Sequence, residues 1–167
     1  MKDKRFLFGL LVIALAFAIT VAGCENDLIP DPKLNGTWVY EYSDGGSSTI
    51  KYNSGNYEDS VSSTVFSGVT GKGTYTTGSG MINYTSDQIN GAYYAAVYAS
   101  SEFSTLFQDK WYSLKEYKDI MKSAGLSTTT RTKTTYQVSG NTLTLTHTYT
   151  KDSDGSVGEN SSTFTKR

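Results

Sequence analysis

Thr142-Leu143-Thr144-Leu145-Thr146-His147-Thr148-Tyr149-Thr150 alternates without a break between threonine and a second set of larger side chains. A β-strand sends successive side chains to opposite faces. This stretch therefore reads as a strand with Leu143, Leu145, His147 and Tyr149 on the inner face and threonines on the outer one. Just upstream, Ser139-Gly140-Asn141 supplies the positive-φ position of a tight hairpin, and the strand before it carries Tyr136.

The same pattern recurs toward the N-terminus. Trp38, Tyr40 and Tyr42 share one face of a strand, with Val39 and Glu41 on the other. Asp44-Gly45-Gly46, Asn53-Ser54-Gly55-Asn56, Gly78-Ser79-Gly80 and Asp152-Ser153-Asp154-Gly155 divide the alternating segments with turn chemistry. The predicted strands are 36–43, 47–53, 56–66, 70–77, 80–86, 130–138, 141–150 and 157–166. The hairpin at 74–85 echoes the one at 135–146 at a constant offset of 61, tyrosine, turn and final threonine included. Eight short strands on hairpin connections imply an all-β, antiparallel closed barrel, which leaves no sheet edge exposed.

Between the fifth and sixth strands lies a segment of different composition, about 87–129. Ser113-Leu114-Lys115-Glu116 has the spacing of a capping box. Leu114, Tyr117, Met121 and Ala124 follow at helical spacing, with Gly125 as a stop. A short helix over 113–124 is expected. The aromatic run Gly91 to Tyr98, followed by Phe103, Leu106 and Phe107, reads either as a second short helix or as a loop on the barrel rim.

Composition narrows the function classes. The chain has 167 residues with 15 basic and 16 acidic side chains, too even a balance for the basic surface of a nucleic-acid binder. One cysteine and one histidine exclude an intramolecular disulfide, a CxxC redox pair and multi-thiolate or multi-histidine metal sites. No cofactor is implied.

Residues 1–23 begin with Lys2, Lys4 and Arg5, continue through eighteen uncharged, mostly apolar residues and end at Val21-Ala22-Gly23, just before Cys24. A basic head, an apolar core and a small-residue exit form a secretory signal. The ending resembles the bacterial lipobox, which implies lipidation of Cys24 and cleavage before it. Two or more acyl chains hold a protein stably at a bilayer. Cleavage would remove three basic residues and one acidic residue, leaving 12 against 15 and a net charge of −3, so the anchor rather than the surface would provide the tether. The expected partner is thus the membrane of a bacterial cell envelope, reached through the lipid, on the periplasmic face or the cell surface. Residues 24–33, with Pro30 and Pro32, read as the linker, and 34–167 as the domain.

Leu34-Asn35-Gly36-Thr37-Trp38 resembles the Gly-x-Trp opening of lipocalin-like barrels. With Lys110-Trp111-Tyr112, the SGNTLTLT hairpin and the closing Thr163-Phe164-Thr165-Lys166-Arg167, the chain is similar to small lipocalin-like lipoproteins of spirochaetes. The resemblance implies that Trp38 closes one end of the barrel with a cation from Lys166 or Arg167 over its ring. One departure from lipocalins is the helix, placed between strands five and six rather than after the eighth.

His147 is the sole histidine, but no nucleophile or orienting carboxylate is marked near it in sequence, and an enzyme is not expected. Gly71-Lys72-Gly73-Thr74 lacks the full phosphate-loop pattern, and Asp152-Ser153-Asp154-Gly155 lacks the closing glutamate of a calcium loop. The candidate ligand-binding residues are Tyr40, Tyr42, Tyr52, Tyr84, Leu143, Leu145 and His147, all on faces assigned inward. Small eight-stranded barrels either fill with side chains or enclose one ligand. Two readings therefore stand: a pocket for a small hydrophobic or amphipathic ligand, or a filled scaffold that contacts an envelope protein partner.

Overall fold

Every predicted strand is present, and each barrel strand pairs antiparallel with the next one along the chain. The computed structural model describes residues 29–97, 99 and 105–167; the expected signal segment 1–23 and Cys24 lie outside the described residues. The strands are β1 (Gly36–Glu41), β2 (Ser47–Asn53), β3 (Asn56–Ser62), β4 (Ser67–Gly78), β5 (Met81–Asn90), β6 (Trp111–Ser113), β7 (Thr129–Ser139), β8 (Thr142–Lys151) and β9 (Val157–Lys166). Eight of them close a ring in the order β1-β2-β3-β4-β5-β7-β8-β9, with β9 returning to β1 through Trp38↔Lys166 and Val39↔Thr165. The three-residue β6 adds to the far end of β5. Among the described residues no helix is long and apolar enough to cross a membrane.

The insert sits between the fifth and sixth barrel strands, as expected. It contains α1 (Gly91–Val97), β6 and α2 (Leu114–Ser123). Of the aromatic run, 91–97 form a helix, and Tyr98 and Phe103 lie outside the described residues. Helix α2 starts on the expected capping box: Ser113 Oγ accepts from the Glu116 amide, and the Glu116 carboxylate accepts from the Ser113 amide. Strand β5 runs past the expected 86 to Asn90. After a register shift opposite Gly73, its ladder with β4 resumes at Lys72↔Gln88 and Gly71↔Ile89.

The interior divides into two halves. Leu34, Trp38, Ile50, Tyr52, Tyr57, Tyr75, Ile82, Leu143, Leu145 and Phe164 form one buried cluster. Most of it lies toward the end that carries the β2–β3, β4–β5 and β7–β8 hairpins, and it makes a filled floor. Trp38 is wholly buried and donates its indole N–H to the Leu34 carbonyl at 2.6 Å. Lys166 Nζ sits 5.1 Å above the Trp38 ring, the cation–π closure that the resemblance implies. Gly36 makes that possible: it holds φ +133°, and a Cβ there would meet Lys166 Cε at 2.7 Å. Arg167 lies elsewhere, paired with Glu41 on the exposed surface.

The end of the linker belongs to this floor. Asp31 caps a short 3-10 turn over Pro32–Leu34, donates its amide to Thr77 Oγ1 at 2.8 Å and accepts from Tyr136 Oη at 2.8 Å. A second, smaller core of Phe107, Tyr112 and Met121, flanked by Tyr94, Tyr117 and Ile120, holds the insert together.

Candidate functional site

The barrel's weakest closure defines its cavity. Strands β5 and β7 share a single ladder pair, Met81↔Thr135, together with the Tyr136 amide bonded to the Gly80 carbonyl at 3.0 Å. Beyond it the two strands lack ladder pairs, and a cavity of about 580 Å³ opens between them into the upper half of the barrel. Its inner walls are Tyr57 and Asp59 on β3, Tyr84 and Asp87 on β5, Arg131 and Thr134 on β7, and Tyr149 on β8. Tyr93 and Tyr94 of α1 and Leu114 and Tyr117 of α2 complete it from the insert. Volumes of this order hold small organic ligands.

Glycine creates part of this space. Gly73 faces inward opposite Tyr57, and a Cβ there would meet Tyr57 Cε1 at 2.8 Å and Asp87 Oδ1 at 3.1 Å. Its bare backbone lets the Tyr57 ring and the Asp87 carboxylate lie against β4, where Tyr57 Oη donates to Asp87 Oδ1 at 2.7 Å.

Polar groups on this wall are chained together. Arg131 Nη2 pairs with Asp87 Oδ2 at 3.1 Å across the unpaired seam, and its guanidinium lies 4.1 Å over the Tyr84 ring. Tyr84 Oη shares a 2.5 Å hydrogen bond with Tyr52 Oη, which links the wall to the floor. Burial pushes the Tyr52, Tyr57 and Tyr84 phenols upward, so all three stay neutral hydrogen-bonding groups. Thr134 Oγ1 lies 2.9 Å from His147 Nδ1, and burial, with help from the Arg131 charge, lowers His147 to about 4. Its imidazole is a neutral member of the inner wall. Burial also raises Asp59 to about 7, opposed by Arg131 and reinforced by Asp87 and Glu58.

The residues singled out from sequence separate by height. Leu143 and Leu145 are fully buried in the floor, and Tyr52 joins them there at 1 % exposure. Tyr84 lines the cavity, and His147 reaches the same level through Thr134. Tyr40 and Tyr42 lie at the opposite side of the mouth, partly exposed and in edge contact with each other at 5.4 Å. Sequence reasoning did not select Tyr57, Asp59, Asp87 or Arg131. The signal available was alternation within 56–62, which puts Tyr57, Asp59 and Val61 on one face. Among the described residues no group of three or more His, Cys, Asp or Glu is placed to hold a metal ion.

Comparison with known proteins adds no relative: no protein family, no curated protein and no solved structure matches the chain significantly.

Proposed function

We propose that this chain is a lipid-anchored protein of the bacterial cell envelope, of lipocalin-like type, whose barrel binds a small amphipathic ligand. The single observation that carries the binding reading is the 580 Å³ cavity in an otherwise filled barrel, walled by phenol rings with a few charged groups among them. A pure scaffold would gain stability by filling that space. The anchor reading rests on the run of small residues before Cys24.

Apolar burial against the tyrosine rings would drive binding, with the Asp87–Arg131–Tyr84 chain orienting the polar end. Helices α1 and α2 would act as a cover over the seam.

Native mass spectrometry of the protein isolated from its own host tests the ligand: an adduct of small-molecule mass is expected. A protein that carries none, and that binds no amphipathic fluorescent probe after purification, has no such function. For the anchor, metabolic labelling with palmitate should mark the wild type and leave Cys24→Ser unlabelled.

A further inference from the structure

We propose that the ligand is a cation: a small amine with an apolar body, whose ammonium group pairs with Asp59 while its body lies against the tyrosines of the cavity. This inference rests on the cavity being a ligand site and concerns only the chemistry of the ligand.

Four charged side chains line the cavity, Asp59, Asp87, Arg131 and Lys133, and they are not evenly paired. From β5 comes Asp87, from β7 Arg131, and these two neutralise each other at 3.1 Å. Arg131 is further engaged by the face of Tyr84, and Asp87 by the Tyr57 hydroxyl. Lys133 is exposed at the seam. From β8 comes neutral His147, already bonded to Thr134. That leaves Asp59 on β3. Its carboxylate has no hydrogen bond and no ion pair with any described residue, although it faces inward, opposite Ile50 of β2 and Gly71 of β4.

A half-buried carboxylate without a hydrogen-bond donor is poorly compensated for the water it loses, the more distant Arg131 charge offsetting only part of that loss. An ammonium supplies what is missing, a positive charge and hydrogen-bond donors, and tyrosine faces nearby add cation–π attraction. An anionic amphiphile such as a fatty acid would meet two carboxylates and an arginine that is already paired, with Lys133 the further cation of the lining, exposed at the seam, so the wall around Asp59 favours a cation over an anion. Gly71 leaves room beside Asp59: a Cβ there would lie 3.7 Å from Asp59 Oδ2.

The pH behaviour follows from the groups around Asp59, namely Glu58 on its own strand, Asp87 and Arg131. Below about 7 an ammonium must displace a proton from Asp59, so affinity should fall by up to about tenfold per pH unit.

The test uses the full-length protein in detergent and three dansyl fluorophores on the same alkyl tail, ending in an ammonium, a hydroxyl or a carboxylate. The ammonium probe should bind about tenfold or more tighter than the other two. Asp59→Asn should remove that preference, so that the ammonium and hydroxyl probes bind the variant with similar affinity. In the wild type, only the ammonium probe should weaken between about pH 8 and pH 5. If the carboxylate or hydroxyl probe binds as well as the ammonium probe, or if Asp59→Asn keeps the preference, this inference fails while the cavity remains a ligand site. If none of the three binds, both readings fall.

Discussion

At the scale of single residues, two buried titratable groups act in opposite directions on stability. His147 is held at about 4 in the fold against 6.5 free, so the unfolded chain takes up a proton first as pH falls, and stability is lost from about 6.5 down to 4. Asp59 is raised to about 7 against 3.8, so its contribution is fully present below 3.8 and is lost as pH rises through 7. Between about 4 and 6.5 the two nearly cancel, which predicts a flat wild-type profile there. Asp59→Asn should expose the histidine slope, with stability rising with pH across that window, and should exceed wild type above pH 7 by about 1–3 kcal/mol. Urea midpoints at several pH values read both effects, and a variant less stable than wild type at pH 8 would contradict the argument. Why Asp59 escaped the sequence reading is physical. Tyr84 and His147 announce themselves by alternation and rarity. Asp59 matters because its neighbours are used up, and that is a fact of three dimensions.

At the scale of elements, α2 is fastened at two points across the open seam. Its start continues β6, which is paired to β5 through Gln88↔Ser113 and Ile89↔Tyr112. Its middle is latched toward β7 and β8: Lys118 reaches Thr130 and Asp152, and Asp152 also accepts from Thr128 and Thr130. These bonds hold Asp152 at about 2, so the latch is intact above the ordinary carboxylate range and releases only as pH falls through that value. Asp152→Ala should therefore leave the barrel's melting temperature nearly unchanged but speed amide exchange in 114–123 several-fold. Ser113→Ala should loosen the same helix by about 1 kcal/mol through loss of the cap. Equal exchange in both variants and wild type would mean that the helix is held by its aromatic core alone. The capping box, the hairpin glycines and the eight alternating segments were legible because each is a local signal. The β6 pairing and the latch were not, because they join residues up to 34 positions apart through ordinary serines, threonines and lysines.

The division into a filled floor and a hollow upper half makes stability depend on height. Leu145→Ala removes fully buried methyl groups from the floor and should cost about 2–5 kcal/mol. Tyr149→Ala, in the partly exposed wall, should cost far less. Matched thermal melts check this, and similar losses would mean that the cavity is closed and packed in solution.

At the scale of the whole molecule, the floor also fixes how the barrel sits on its membrane, given the proposed anchor. Residues 29–34 dock on the closed end through Thr77, Tyr136 and the buried Leu34. Only the short stretch from Cys24 to Ile29 separates the lipid from that end, a reach of at most about 18 Å. Strands of ten residues tilted in a barrel rise by about 25 Å, so the mouth would face away from the bilayer, open to a ligand arriving from the aqueous side. Because the proposed acylation would consume the sole native thiol, an introduced cysteine can carry a single fluorophore. A label at Asn141→Cys, in the β7–β8 hairpin of the floor, should be quenched by a lipid-borne acceptor in proteoliposomes more strongly than one at Asp154→Cys, in the β8–β9 turn of the mouth. The reverse order would put the mouth against the bilayer and make the lipid phase the source of ligand.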